Sequence, residues 1–216
     1  MKKILLLFVC LFVCWALFAQ QRIKVACVGN SITYGTGLAD RATQSYPVQL
    51  QKLLGEHYEV ENFGKPGATL LNQGHRPYTR QEEYRKALDF AGDIVVIHLG
   101  INDTDPRDWP NYRDSFVTDY LNLMDTFRKA NPDVRIIIAR MTPIADRHNR
   151  FLSGTRDWHG EMQTAIETVA HYAGVQLIDF REPLYPYPFL LPDAVHPTAE
   201  GAAIMARTVY SAITGD

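Results

Sequence analysis

The sequence predicts an α/β domain built on a mostly parallel, doubly wound sheet of five strands. Five short β-branched runs are spaced along the chain, and longer segments of helical period separate them. With 216 residues, 46% hydrophobic and 21% charged, the chain has ordinary globular composition and enough length for one sizeable core.

The strands are expected at Ile23 to Val28, Tyr58 to Asn62, Ile94 to Leu99, Val134 to Ala139 and Val175 to Ile178. Between them, Tyr46 to Leu54, Gln81 to Phe90, Phe116 to Ala130, Met162 to Tyr172 and Ala199 to Ile213 carry apolar residues at i, i+3 and i+4. Leu50, Leu53 and Leu54 show the spacing, as do Val117, Tyr120, Leu121 and Met124. Asn131-Pro132 and Ala173-Gly174 stop the third and fourth helices. In such a sheet ligands bind outside the carboxyl ends of the strands. The loops that matter therefore begin at Gly29, Phe63, Gly100, Arg140 and Asp179.

Residues 1–20 stand apart. Lys2 and Lys3, an apolar run from Ile4 to Phe18, and Ala19 before Gln20 follow the layout of a secretory signal peptide, so residues 21–216 are expected to form one secreted or periplasmic domain. About 15 apolar residues is short for a bilayer span, which makes an uncleaved anchor the weaker reading. Neither Cys10 nor Cys14 follows the small residue of a lipobox. The mature chain then keeps only Cys27, which excludes an internal disulfide and reads as a small buried core residue. Loss of Lys2 and Lys3 with no acid moves the formal net charge from −2 to −4. Lys and Arg are scattered without a basic stripe, so nucleic acid is not an expected partner.

Several of the strand-end loops carry chemistry-bearing residues. Gly29-Asn30-Ser31-Ile32-Thr33 is a small-residue turn that can hold a hydroxyl at the sheet edge, although Ser31 alone reads better as a cap or turn residue. Asn62 to Thr69 contains Gly64 and Gly67, which permit positive φ or an exposed N–H. Gly100-Ile101-Asn102-Asp103 offers the Asn102 amide as a donor toward a developing oxyanion, or as an Asx turn. In Asp193-Ala194-Val195-His196 the carboxylate can face one imidazole nitrogen and leave the other for a serine, with a helix cap as the alternative role of Asp193. Jointly these residues supply nucleophile, donors, base and orienter at one end of the sheet.

The four blocks, in this order, resemble the GDSL or SGNH hydrolases, whose blocks centre on Ser, Gly, Asn and His. The resemblance spans essentially the whole mature chain. It implies a three-layer α/β/α, flavodoxin-like fold with Ser31 as nucleophile and His196 and Asp193 completing the triad. It also implies an oxyanion hole made by the N–H groups of Ser31 and Gly67 and the Asn102 side chain. No metal or organic cofactor is implied. One departure is Asn30, where the family commonly has Asp before the nucleophile.

The segments Tyr34 to Tyr46-Pro47, Gly74 to Tyr78 and Asn102 to Trp109 look similar to the family's secreted carbohydrate acetylesterases, including sialate O-acetylesterases. An O-acetylated glycan is the implied substrate. Arg76, Arg107, Arg147, Arg150 and Arg156 are expected in loops at the rim of the site, where a guanidinium can meet a sugar carboxylate, although each taken singly reads better as solvated surface. Tyr78, Trp109 and Trp158 are expected to stack on sugar rings. No loop carries a long apolar stretch of the kind that forms a lipase lid. A thioesterase or lysophospholipase of the same fold, and a catalytically weak carbohydrate-binding relative, are the alternatives.

Overall fold

Val25 to Val28 have no exposed surface, because β1 (Ile23–Gly29) runs through the middle of a sheet with strands on both sides. This computed structural model describes residues 22–145 and 155–215. The expected signal peptide lies outside them. β2 (Tyr58–Gly64), β3 (Ile94–His98), β4 (Arg135–Arg140) and β5 (Gln176–Asp179) complete the sheet in the order β2-β1-β3-β4-β5. Every pairing is parallel. The expected strand count and class are those observed.

Parallel neighbours need crossover connections, which the helices supply. After β1 come α1 (Ser31–Tyr34), α2 (Arg41–Gln44) and α3 (Tyr46–Leu54). α4 (Glu82–Phe90) follows β2, while α5 (Trp109–Tyr112) and α6 (Phe116–Ala130) follow β3. α7 (Thr155–Ala173) follows β4 and α8 (Ala199–Thr214) follows β5. α3 packs beside α8, and α6 packs beside both α4 and α7, so the helices form two layers around the sheet. In this order the winding reverses between β1 and β3. Their outgoing chains then diverge, and by the general rule for such sheets a ligand crevice is expected at the two carboxyl ends.

α7 begins seven residues before the expected Met162. Its inner face already includes His159, which is buried and bonds the Thr142 carbonyl. A polar residue facing inward, with Asp157 and Gly160 on the exposed side, hides the apolar stripe. The four-residue helices α1, α2 and α5 are each a single turn, too short to show a period.

Cys27 is fully buried in β1, and burial pushes its thiol up to about 12. Among the described residues no helix is long and apolar enough to cross a membrane.

Candidate active site

The turn that presents Ser31 begins with close packing. A Cβ on Gly29 would fall 2.0 Å from Thr33 Oγ1, so only glycine lets α1 fold back on the end of β1. Asn30, fully buried, caps α1 by accepting from the Ile32 N–H at 3.0 Å. The capping role that the sequence allowed for Ser31 therefore falls to Asn30. Ser31 is the first residue of the turn, and its Oγ lies 2.8 Å from His196 Nε2.

His196 comes from the loop that ends at α8. Its Nδ1 is 2.6 Å from Asp193 Oδ2, while Asp193 Oδ1 accepts from the N–H groups of Val195 at 3.0 Å and His196 at 2.7 Å. An ionised carboxylate only accepts, so Nδ1 carries the proton and Nε2 is left to accept from the Ser31 hydroxyl. Burial opposes ionisation of Asp193. The bonds from the His196 backbone and ring and from Val195 outweigh it and hold the carboxyl below its ordinary value. Ala194 adopts a left-handed φ of 73°, and its carbonyl accepts from the Ala145 N–H at 2.8 Å. A non-glycine residue in that region is strained, and the bond to the β4 loop helps hold it there.

The loop after β2 is stitched to this turn. Asn62 Nδ2 donates to the Thr33 carbonyl at 2.8 Å, and the Lys65 N–H donates to the Gly29 carbonyl at 2.9 Å. Gly67 has φ 77°, a left-handed conformation that suits glycine. Neither the Ser31 nor the Gly67 N–H has a hydrogen-bond acceptor among the described residues. Asn102 Nδ2 donates to the Ala68 carbonyl at 2.9 Å, which joins the loops after β2 and β3. Arg76 arches back over Gly67: its Nη1 donates to the Pro66 carbonyl at 3.0 Å and would sit 3.1 Å from a Cβ placed on Gly67.

Two stacking residues expected from the sequence are corrected here. Tyr78 is fully buried and donates its hydroxyl to the Phe63 carbonyl at 2.7 Å. Trp109 is 2% exposed, and its indole N–H donates to Glu161 Oε2 at 2.8 Å. Neither offers a ring face to a ligand, because both rings complete the core instead. Trp158 packs partly buried against that core. Arg107 is engaged by Asp105 through Nε at 2.8 Å and Nη2 at 2.9 Å. Arg147 and Arg150 lie outside the described residues, as does the Arg156 side chain.

The spacing of motifs pointed to neither of two clamps beneath the site. Asp103, fully buried, accepts from the Leu70 N–H at 2.9 Å and the Leu71 N–H at 2.7 Å. Asp108, also buried, accepts from the His75 N–H at 2.9 Å and faces His75 Nδ1 at 2.5 Å. Together they hold the segment that carries Gly67 and Arg76. His75, Asp105 and Asp108 each place one possible metal-ligand atom within 4.8 Å of the others. The Asp105 and Asp108 carboxylates are already engaged by Arg107 and His75, so the cluster reads as a hydrogen-bonded knot.

A hydroxyl on an imidazole with a carboxylate behind it is an arrangement that can turn a serine into a nucleophile. The chain belongs to the GDSL-like Lipase/Acylhydrolase family, which it matches over residues 27–204. It is similar to an acetylxylan esterase of Xylanibacter ruminicola, with 33% identity over 215 residues covering 90% of this chain and 44% of that one. The chain thus spans under half the length of that relative. Among solved structures, the acetyl xylan esterase AlAXEase is 22% identical, with TM-score 0.68, covering 88% of this chain and all of that one. A GDSL-like lipase from Bacteroides thetaiotaomicron is 23% identical, with TM-score 0.67, covering 93% of each chain. These two likenesses show the shared fold.

Proposed function

We propose that the protein is a secreted serine esterase that removes acetyl groups from carbohydrates. The observation that carries this reading is the continuous line from Asp193 Oδ2 through His196 to Ser31 Oγ, with spans of 2.6 and 2.8 Å. His196 takes the Ser31 proton as Oγ attacks the ester carbonyl, and Asp193 stabilises the imidazolium. The developing oxyanion is met by the N–H groups of Ser31 and Gly67 and the Asn102 amide. His196 then protonates the departing sugar oxygen, and a water activated by the same ring releases acetate from Ser31.

The acetyl group and the sugar are supported by the likeness to an acetylxylan esterase and by the absence of a long apolar loop segment in the sequence. Secretion is supported by the order of residues 1–20. Acetate release is to be measured across acetylated xylan fragments, O-acetylated sialic acids and long-chain esters, alongside fluorophosphonate labelling. Labelling of the wild type that is lost in Ser31→Ala, with turnover confined to acetylated sugars, is the expected result. Equal rates on long acyl chains would sink the acetylesterase reading, and labelling that persists in Ser31→Ala would remove Ser31 as nucleophile.

A further inference from the structure

Among the described residues six large hydrophobic side chains stand exposed, and three of them fall within five positions: Tyr185 at 59%, Tyr187 at 47% and Phe189 at 67%. Such clustering marks an interaction surface rather than scattered exposure. Pro186 and Pro188 alternate with the rings and restrict the backbone that holds them out. The Tyr187 and Phe189 rings meet edge to face at 5.9 Å, and the Arg181 guanidinium lies 4.5 Å over Tyr185. These contacts hold the rings in place before any ligand arrives.

The platform runs directly into the triad loop. The Leu190 N–H donates to the Tyr187 carbonyl, Ala194 to Leu191, and Thr198 back to Leu190, at 2.8 to 2.9 Å. Phe189 is four residues from Asp193, at most about 14 Å along the chain. The same segment walls a cleft of about 760 Å³ lined by Arg181, Tyr185, Pro188 and Leu191 with Ile144 and Gln163. That volume lies within the range of small-ligand sites, about 300–1,000 Å³.

We infer that Tyr185, Tyr187 and Phe189 form a subsite for the backbone of a neutral polysaccharide, holding the sugars beside the one that presents its acetyl group to Ser31. This rests on the esterase reading of Ser31. A pyranose has a flat C–H face that packs on an aromatic ring and rim hydroxyls that bond to tyrosine hydroxyls and to Arg181. Three rings on five residues are too few for a stable dimer interface of about 800 Å² per partner. Between Phe180 and Thr198 Arg181 is the only Lys or Arg, too little positive charge for an anionic lipid surface.

The test uses the full chain carrying Ser31→Ala, so that binding is read without turnover, in affinity electrophoresis through gels containing acetylated xylan. Retardation is expected, and adding Tyr187→Ala with Phe189→Ala should weaken it about tenfold, while Tyr187→Trp preserves it. No retardation, or equal retardation after both rings are removed, overturns the subsite whatever the enzyme hydrolyses. In the active protein the same double variant should lower the ratio of kcat/KM on acetylated xylan to that on p-nitrophenyl acetate about tenfold. An unchanged ratio overturns it. If the wild type cleaves no ester at all, the esterase reading fails while the electrophoresis still decides the platform. Both rings are exposed, so the variants should melt with the parent, and a normal melt with lost retardation separates binding from folding.

Discussion

Asn102 donates its side-chain amide to the Ala68 carbonyl across 2.9 Å, so the loops that follow β2 and β3 share one hydrogen bond. The bond engages one of the two amide hydrogens and fixes the amide plane. In the proposed mechanism the second hydrogen is the one offered to the oxyanion, and its donor then needs little reorganisation when charge develops.

Replacing Asn102 with Ala should therefore lower kcat on p-nitrophenyl acetate on the order of 10²–10³-fold. The part-buried bond to Ala68 contributes only about 0.5–1.5 kcal/mol, so the variant should still fold cooperatively. A folded variant with near-normal kcat would remove Asn102 from the oxyanion site.

Asp103→Asn should destabilise the protein by about 1–3 kcal/mol, because an amide cannot accept from both Leu70 and Leu71 with two oxygens. Burial raises the Asp103 carboxyl from 3.8 to about 8, against the pull of those same two N–H groups. Between the ordinary carboxylate value and about 8 the folded chain thus holds a proton that the unfolded chain has released. This contribution to stability is fully present below about 4 and declines as pH rises toward 8. Comparing melting temperature against pH for wild type and Asp103→Asn isolates that slope. An identical slope in both would contradict the assignment.

Asp193→Asn keeps the acceptor for Val195 and His196 but can turn an N–H toward His196 Nδ1, which favours the wrong tautomer. A kcat loss on the order of 10²–10⁴-fold is expected at pH 8. The Asp193 carboxyl is held below its ordinary value. Its contribution to stability is therefore present above about 4 and is lost as pH falls through the lower folded value. Acid melts of wild type and variant should converge at low pH, and melts that stay parallel would refute that linkage.

Arg76 lies against the Gly67 turn and is an exposed residue. Arg76→Gln should lower kcat/KM on acetylated sugars that carry a carboxylate about tenfold more than on neutral ones. Equal losses on both would mean that the guanidinium supports the loop and does not read the substrate.

The sequence by itself determined the α/β class, the five strands and the four blocks around Ser31, Gly67, Asn102 and His196, because hydrophobic period and turn chemistry are local. It also marked Asp193, since three residues suffice for a carboxylate to reach the imidazole of His196. Only the tertiary structure decided which side chains face the crevice. Tyr78 and Trp109 have the composition of sugar-stacking residues, yet long-range packing turns both inward. Asp103 and Asp108 carry no spacing that marks a partner, yet each is buried against backbone N–H groups about thirty residues away. Burial and partner choice depend on contacts between distant segments, and neither leaves a period or a spacing in the chain.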